Sequence, residues 1–284
     1  MVGMSTLSRR TASIVGIAFS FPFIFVFTIF ILYPLLYGFY LAGDISKYYE
    51  LLRDPLYVRS LFNTFLYVGV GVNLKMVFAF FFSGLLMYRK YPAVKILSVA
   101  YLLPWAIPDI AGILSFRWML NSDWGVINLF LSEFGFPKIM WLNSYYTSMA
   151  AAIFFHIWKW TPLWTMTFYA GRLVIPPELY EAAKIDGATT FNELRHITIP
   201  LMKRLYILCT LLSTIWTMGD FNTIWLLTGG DPGGTTHLAS TIAYKYALYF
   251  GDVSLGVSSY IVLMPFLLIL IFAIIKIMGV PGER

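Results

Sequence analysis

Residues 175–200 read IPPELYEAAKIDGATTFNELRHITIP, a polar segment that lies between two apolar runs of a 284-residue chain. Pro177 suits the first turn of a helix, where its missing N–H is not needed. Glu178 and Glu181 favour the positive end of the same helix. Gly187 can adopt the left-handed conformation that ends a helix and turns the chain. The segment therefore predicts a short helix that begins near Pro177 and ends at Gly187.

A second helix is predicted directly after this turn. Thr190 and Glu193 have the spacing of a capping box, in which each side chain satisfies a free backbone N–H. Pro200 marks the start of the next apolar run. The small side chains of Ala182 and Ala183 would let a partner approach closely. On these residues alone, an ordinary amphipathic connector and a partner-docking helix–turn–helix are both open.

The composition around this segment indicates a membrane protein. Hydrophobic residues make up 59% of the chain and charged residues 12%, with a mean hydropathy of +0.75. Soluble domains carry about 25% charged residues, roughly twice this share. The net charge of +6 does not indicate nucleic-acid binding, because the basic residues stand at the ends of apolar runs rather than in a stripe with aromatics.

Six apolar runs have the length that a membrane-spanning helix needs. The first could be a signal peptide, but at about 23 residues it is longer than the 7–15 residues of a signal h-region, so we expect an uncleaved span. The six predicted spans are Ile14–Leu36, Leu61–Tyr88, Lys95–Phe116, Ser148–Arg172, Leu205–Leu227 and Leu255–Met278.

The distribution of Lys and Arg predicts the orientation of these spans, since basic residues concentrate on the cytoplasmic side. With the N-terminus inside, twelve basic residues fall on one side and six on the other. Both termini and the 175–200 segment are therefore predicted to be cytoplasmic. The twelve are Arg9, Arg10, Arg89, Lys90, Lys95, Arg172, Lys184, Arg195, Lys203, Arg204, Lys276 and Arg284; the six are Lys47, Arg53, Arg59, Arg117, Lys138 and Lys245.

The sequence offers no catalytic constellation and no metal cluster. The single Cys209 lies in an apolar run, so the chain cannot form an internal disulfide framework. The glycine-rich stretch Gly229–Thr236 lacks the lysine of a nucleotide-binding P-loop and is predicted to lie outside. We therefore expect that the chain is not an enzyme and that it binds no cofactor itself.

Ionisable residues inside a span are candidates for function because they are costly to bury in lipid. They are Lys75, Asp109, His156, Lys159 and Asp220. Lys75 could instead snorkel or pair with a sister helix, and Asp109 could be the ion partner of Arg117 or Lys159. His156 and Lys159 are three residues apart and are predicted to share one helical face.

A sugar site needs aromatic faces for the ring and a few amide or carboxylate groups for its hydroxyls. Trp216, Asp220 and Asn222 supply that set in the fifth span, with Trp158 and Lys159 as a second choice. These five residues are the predicted substrate pathway. The alternative for the tryptophans is an interfacial belt at the membrane surface.

The loop resembles the EAA loop of ABC importer permeases, which in that family docks coupling helices into a cleft of the ATPase subunit. The one departure noted is Leu194, where relatives often have an aromatic residue. The matching positions, which the resemblance implies are ATPase-coupling residues, are Glu181, Ala182, Ala183, Asp186, Gly187, Ala188, Ile197 and Pro200.

The resemblance extends over most of the chain from about residue 60 onward. Segments similar to those of maltose-type first permeases are Asn63-Thr64, Gly125–Asn128, Trp141-Leu142, Ile157-Trp158 and Leu226–Pro232. Asp231 stands where that family more often has a third glycine.

The resemblance implies an all-α membrane protein with six transmembrane helices and the type I ABC importer transmembrane fold. Residues 1–60 would form an N-terminal region with the first helix and an outer loop, and residues 61–278 the transmembrane domain with its coupling loop at 175–200. The implied function is a permease subunit in the cytoplasmic membrane that imports a carbohydrate by alternating access. Its partners would be a second homologous permease, two ATP-binding subunits that hold ATP and Mg, an extracytoplasmic solute-binding protein and membrane lipid, and no nucleic acid.

Three alternatives stay open at this point. The same machine could import glycerol 3-phosphate or another polar solute, for which Lys159 would supply a cation. An ion-coupled secondary carrier is disfavoured, because such carriers often show inverted repeats and do not need an ATPase-docking loop. A membrane-embedded enzyme is disfavoured by the lack of a catalytic cluster.

Overall fold

The computed structural model describes the backbone of residues 9–88 and 92–278, and the side chains of 18–87, 96 and 98–277. The predicted cytoplasmic residues Arg89, Lys90 and Arg284 lie outside the described residues, as do both ends of the chain. The regular elements of the described part are helical. The helices are α1 Arg9–Phe27, α2 Tyr33–Leu41, α3 Ile45–Arg53, α4 Pro55–Leu85, α5 Pro92–Ala106, α6 Asp109–Met119, α7 Val126–Glu133, α8 Tyr145–Leu173, α9 Pro177–Ile185, α10 Thr190–Glu193, α11 Ile199–Met218, α12 Asn222–Leu227, α13 Ala239–Tyr244, α14 Val253–Ile261 and α15 Met264–Met278.

Short π-helical segments join several of these helices into longer rods. Thr28–Leu32 continues α1 into α2, Leu194–Thr198 continues α10 into α11, and Lys245–Tyr249 follows α13. A π-turn inserts one residue without breaking the hydrogen-bonded ladder, so the first two rods are each long enough to cross a membrane.

Four helical stretches of the described chain are long and apolar enough to span a membrane. They correspond to the predicted first, second, fifth and sixth spans, with ends shifted by several residues. A fifth is added if a bent pair of helices counts as one span. The four stretches are Ala18–Leu41, Pro55–Leu85, Thr190–Met218 and Val253–Ile277.

The third predicted span is wrong as a single helix. α5 and α6 meet at Ile107-Pro108, and their axes, taken over Ser98–Ala106 and Asp109–Met119, are bent by 98°. Pro108 has no N–H to continue the ladder and disfavours helical backbone in the residue before it. It stands instead at the N-cap of α6.

The fourth predicted span, Ser148–Arg172, lies within the 29-residue helix α8. At 1.5 Å per residue this helix is about 43 Å long, enough to cross a bilayer. It is not among the stretches that are apolar enough, because it carries His156, Lys159 and Arg172. These three side chains are buried inside the protein, so the polar face of α8 packs against its neighbours.

The fifth predicted span begins and ends earlier than expected. α11 begins at Ile199 and ends at Met218, and the chain then turns through Gly219 and Asp220 before α12. The Asp220 carboxylate accepts a hydrogen bond from the Thr223 backbone N–H at 3.1 Å. Such a local side-chain bond offers the backbone an alternative to continuing the helix. A single helix to Leu227 is therefore wrong.

The core forms where α4 packs against α8 and α11. Val72, Met76, Phe168 and Met202 lie in this core with little or no exposure. Gly171 lets α8 approach α11 closely, since a Cβ there would meet the Met202 side chain at 3.1 Å. The predicted domain boundary between residues 60 and 61 lies inside α4, and it stays a prediction.

The N-terminal region contacts the rest of the chain mainly through α2 and α3. Asp44 caps α3, and Lys47 forms an ion pair with Asp252 at 2.6 Å before α14. This bond raises the pKa of Lys47 above its ordinary value and lowers that of Asp252. Ala18–Leu41, by contrast, has no buried residue within its apolar window.

Candidate coupling loop and buried polar cluster

The first half of the 175–200 segment folds as predicted. α9 begins at Pro177 and ends at Ile185, and Gly187 has a φ of +77°. The Gly187 N–H donates to the Lys184 carbonyl at 3.0 Å, and the Ala188 N–H donates to the Ala183 carbonyl at 2.9 Å. These bonds use the last free carbonyls of α9, as a left-handed C-cap does. The predicted helix and its glycine stop are confirmed.

The second half differs from the prediction in two respects. The N-cap is Thr189, whose Oγ1 accepts from the Asn192 N–H at 3.4 Å, so a capping box that starts at Thr190 is wrong. The helix also does not stop before the apolar run, because α10 continues through Leu194–Thr198 into α11. The second half of the loop is therefore the exposed end of a rod that runs from Thr190 to Met218.

The loop presents an uncovered apolar surface. The Ile185 side chain is 87% exposed, Phe191 is 65% exposed, and Leu179 and Ala182 are also exposed. Large apolar side chains this exposed, clustered on α9 and the start of α10, mark an interaction surface. The Tyr180 hydroxyl lies 2.9 Å from the Thr198 hydroxyl and ties α9 to the rod.

The loop is anchored to the bundle at the end of α8. The buried Arg172 donates from Nε to the Ser83 hydroxyl at 2.8 Å and from Nη2 to the Phe80 carbonyl at 3.1 Å. Its guanidinium also lies 4.6 Å from the centre of the Phe80 ring. These contacts fix the point at which the chain leaves α8 for α9.

A second candidate site lies in the middle of the bundle, where α4, α8 and the turn after α11 meet. Lys75 is 1% exposed and His156 is 3% exposed. The Lys75 Nζ lies 2.8 Å from His156 Nε2. Since an ammonium group can only donate, Nε2 must accept, which we assign as the Nδ1–H tautomer of a neutral imidazole. His156 Nδ1 then faces Asp220 Oδ2 at 3.6 Å.

The Asp220 carboxylate is surrounded by donors from its own chain. Tyr67 Oη donates to Oδ2 at 2.7 Å, and Thr223 Oγ1 donates to the same oxygen at 2.8 Å. The Ser240 hydroxyl donates to the Asp220 carbonyl at 2.7 Å. A buried charge is tolerated when it is paired and hydrogen-bonded. Lys75, His156 and Asp220 form such an arrangement, named here the buried polar cluster.

The cluster resolves one alternative that the sequence left open. Lys75 pairs within its own chain rather than with a sister helix or the lipid surface. His156 and Lys159 do not contact a common partner, because His156 bonds towards α4 while Lys159 bonds to the α5–α6 break. The sequence analysis did not identify Tyr67 and Thr223, which donate to the Asp220 carboxylate. The i to i+3 spacing of Asp220 and Thr223 is a capping signal that sequence reading could have found.

Lys159 stabilises the bent pair of helices. Its Nζ donates to the Pro104 carbonyl at 3.1 Å and the Trp105 carbonyl at 3.3 Å, and it also contacts the Ile107 carbonyl. Carbonyls at the end of a helix carry partial negative charge and favour a cation. The side chain is 3% exposed.

The other predicted pathway residues make contacts of their own. Trp216 is 60% exposed and its ring lies 5.7 Å from that of Trp164. Asn222 donates to Asp109 Oδ2 at 3.4 Å. Trp158 packs between Phe116 and Phe155. The contact of the five pathway residues with substrate stays a prediction.

Comparisons with known proteins place these features in a family. Residues 2–279 match the family described as "Binding-protein-dependent transport system inner membrane component". The chain is 33% identical to the trehalose/maltose transport system permease protein MalF of Thermococcus litoralis, with 95% of each chain covered. It is 27% identical to the arabinooligosaccharides transport system permease protein AraP of Bacillus subtilis, covering 92% of this chain and 87% of AraP.

A solved structure supports the fold. A chain of a bacterial alginate ABC transporter, crystallised with an alginate pentasaccharide-bound periplasmic protein, superposes with a TM-score of 0.83. The alignment covers 93% of this chain and 94% of that one at 21% identity. At this identity the likeness concerns the fold alone.

Proposed function

Because the chain belongs to the family of binding-protein-dependent transport system inner membrane components, we propose that it is the permease subunit of an ATP-driven carbohydrate importer. Relatives named for trehalose and maltose and for arabinooligosaccharides support a carbohydrate as the cargo. We further propose six spans, with the bent pair α5–α6 as the third and α8 as the fourth, and both termini in the cytoplasm. Alternating access would expose the pathway first to one side of the membrane and then to the other.

The exposed loop is the observation that carries this proposal. A separate ATPase needs a surface to hold, and Ile185, Leu179 and Phe191 form one that the described chain leaves uncovered. Glu181–Pro200 would be the coupling segment. Because Thr190–Met218 is a continuous rod, a displacement at the loop would be transmitted along it to the turn at Asp220. ATP and Mg would be held by the partner ATPase.

The uncovered N-terminal helix supports further partners. Ala18–Leu41 has large apolar side chains and no buried residue in its apolar window. In a membrane such a surface is covered by lipid or by another helix bundle. We propose that lipid and a second homologous permease cover it, that two ATP-binding subunits dock on the loop side, and that a solute-binding protein docks on the opposite side.

A neutral carbohydrate is favoured over glycerol 3-phosphate. A phosphate cargo would need free cations in the pathway. Lys159 is engaged by backbone carbonyls and Lys75 by His156, so these two buried cations support structure rather than anion binding.

The test is ATP-driven uptake by the assembled transporter in proteoliposomes, with radiolabelled maltose and trehalose as probes. Glu181→Lys and Gly187→Val should each reduce uptake at least about tenfold, since a coupling free energy of about 1–3 kcal/mol corresponds to 5–150-fold. The amount of permease in the membrane should not change.

Two matched controls belong to the same chain. Glu133→Lys reverses an exposed carboxylate on α7, far from the loop, and Gly135→Val replaces a glycine with φ +76° and open space around it. Both controls should retain uptake. If Glu181→Lys and Gly187→Val also retain it, the coupling role is wrong. If the unmodified transporter imports neither of these sugars nor an arabinooligosaccharide, the carbohydrate assignment is wrong.

A further inference from the structure

Two segments that resemble those of sugar permeases, Trp141-Leu142 and Leu226–Pro232, have no role in the site described above, yet they meet in space. The turn before α7, the segment before α8 and the loop after α12 enclose a cavity of about 490 Å³. Ligand pockets typically measure about 300–1,000 Å³. This outer pocket is lined by Arg117, Trp118, Leu120, Asn121, Ser122, Trp124, Trp141, Leu142, Asn143, Leu227, Thr228 and Asp231.

The outer pocket lies at the opposite end of the bundle from the coupling loop. Asn143 stands just before α8 and Arg172 stands at its end. A helix of 29 residues separates these two positions by about 43 Å. A molecule that reaches the chain from the side away from the ATPase would therefore meet the outer pocket first.

The lining combines aromatic faces with unused hydrogen-bonding groups. Trp118 and Trp124 are exposed and pack edge to face with ring centres 6.1 Å apart. The Asp231 carboxylate and the Asn143 carboxamide have no hydrogen bond within the part of the chain that the structure describes. The side-chain Oδ1 of Asn121 accepts from the Asp123 and Trp124 backbone N–H groups, which leaves the side-chain NH₂ group for a ligand.

One wall of the outer pocket is held rigid by its backbone. A Cβ at Gly125 would stand 2.5 Å from the Met119 carbonyl oxygen and 2.7 Å from the Asn121 N–H, so only glycine fits this turn. Asn128 then donates to the Ser122 carbonyl at 3.1 Å and accepts from Trp141 Nε1 at 3.0 Å. The Trp141 ring is thereby fixed.

The wall that carries Asp231 is equally constrained. Gly230 has a φ of +91°, and a Cβ there would collide with the His237 ring. Thr236 Oγ1 donates to the Asp231 carbonyl at 2.8 Å, and Asn63 holds the loop by donating to the Thr235 carbonyl at 2.7 Å. Groups held in place before binding lose little entropy when a ligand arrives.

We propose that the outer pocket binds a glycosyl unit of the cargo, as a first station between the solute-binding protein and the transmembrane pathway. Indole faces suit the apolar face of a sugar ring, and carboxylate and carboxamide groups suit its hydroxyls. Arg117 and Asp231 carry opposite charges, which fits a neutral sugar rather than an acidic one. The proposal rests on the carbohydrate cargo proposed above.

The experiment maps the site directly. The assembled transporter, in lipid nanodiscs free of maltoside detergent and without the binding protein, is photolabelled with a diazirine derivative of maltose and, separately, of trehalose. Mass spectrometry should find label on residues 117–124, 141–143 or 227–231, and excess unmodified sugar should remove it. Trp124→Ala and Asp231→Ala should each lower this labelling about tenfold or more.

The controls change the same residue types outside the outer pocket. Asp123→Ala removes an exposed carboxylate next to it, and Trp105→Ala removes an exposed indole at the α5–α6 break. Both should label like the unmodified transporter. Absence of label from the three segments overturns the proposal. So does a result in which the pocket variants label normally but weaken docking of the binding protein, measured separately on the same nanodiscs, which would make the pocket a protein contact.

The sugar-uptake assay distinguishes failure of the outer-pocket proposal from failure of the proposed transport function. If the unmodified transporter imports maltose or trehalose but carries no label in the outer pocket, only the station is wrong. If it imports neither of these sugars nor an arabinooligosaccharide, the carbohydrate cargo itself is wrong.

Discussion

The coupling loop and the buried polar cluster are built in opposite ways. The loop is contiguous in sequence, and its turn is set by residues a few positions apart, such as Gly187 and Lys184. The cluster joins residues that are far apart in sequence, since Lys75 and His156 are 81 positions apart and Tyr67 and Asp220 are 153 apart. Local chemistry thus decides the loop, whereas the packing of three helices decides the cluster.

The largest effect is expected where the cluster loses one charge. Lys75→Met removes the ammonium group beside His156 Nε2, and Asp220→Asn removes the carboxylate that faces His156 Nδ1, so each change leaves the opposite charge of the cluster uncompensated. Leaving a buried charge uncompensated by removing its counter-charge costs about 3–5 kcal/mol. Each single variant should therefore lower the free energy of unfolding of the detergent-solubilised chain by about that much.

The double variant Lys75→Met with Asp220→Asn measures the interaction free energy between the two side chains. If the two charges compensate each other through His156, the double variant should lose less stability than the sum of the two single variants. Lys138→Met, an exposed lysine, serves as a control and should change stability by about 0.5 kcal/mol or less. Additive losses in the double variant would show that Lys75 and Asp220 act independently.

Sequence reading reached the members of the cluster but not their pairing. Lys75, His156 and Asp220 each stood out as an ionisable residue in an apolar run, since such residues are costly in a membrane. Which of them meet depends on how α4, α8 and α11 are rotated about their axes, and no local pattern records that rotation. The first half of the loop was read correctly, because its signals act over three or four residues.

The errors in the predicted spans have a common cause. The third and fifth predicted spans were taken as single helices, but the chain breaks at Ile107-Pro108 and at Gly219-Asp220. In both places a polar side chain from elsewhere satisfies the freed backbone, Lys159 at the first break and Ser240 at the second. Broken helices within a bundle need such partners. A hydropathy pattern does not predict which distant side chain will supply this hydrogen bond.

Gly230 combines a local backbone requirement, as found in the coupling loop, with a packing requirement, as found in the buried polar cluster. Its φ of +91° is a local demand, while the His237 ring that fills the space beside it is a packing demand. Gly230→Ala should lower the free energy of unfolding by about 3 kcal/mol, from overpacking of 1–3 and left-handed strain of 1–2 kcal/mol. Thermal unfolding with a calibrated free-energy scale measures the change.

Gly233→Ala is the matched control for this variant. Gly233 also has a positive φ, at +60°, but nothing lies within 4 Å of where its Cβ would be. It should lose only the strain, about 1–2 kcal/mol. Equal losses at Gly230 and Gly233 would show that His237 makes room and that packing adds nothing.

Gly187 isolates the local demand within the loop itself. Its φ is +77° and the space around it is open, so Gly187→Ala should cost about 1–2 kcal/mol of local stability from strain alone. Gly187→Asn should cost less, because asparagine tolerates the left-handed conformation. Hydrogen exchange at the Gly187 and Ala188 amides reports this local opening. Faster exchange in the asparagine variant than in the alanine variant would contradict the conformational explanation.

The smallest effect distinguishes the two threonines at the start of the rod. Thr189 Oγ1 accepts from the Asn192 N–H at 3.4 Å, a long bond, so Thr189→Ala should cost about 0.5 kcal/mol, the low end for a lost N-cap. Thr190 is already the first helical residue, so Thr190→Ala should change stability by no more than a few tenths of a kcal/mol. Thr189→Ser keeps the hydroxyl and should restore the cap. The hydrogen-exchange rate of the Asn192 amide is compared among all three variants. Faster exchange in Thr190→Ala than in Thr189→Ala would show that Thr190, and not Thr189, is the N-cap.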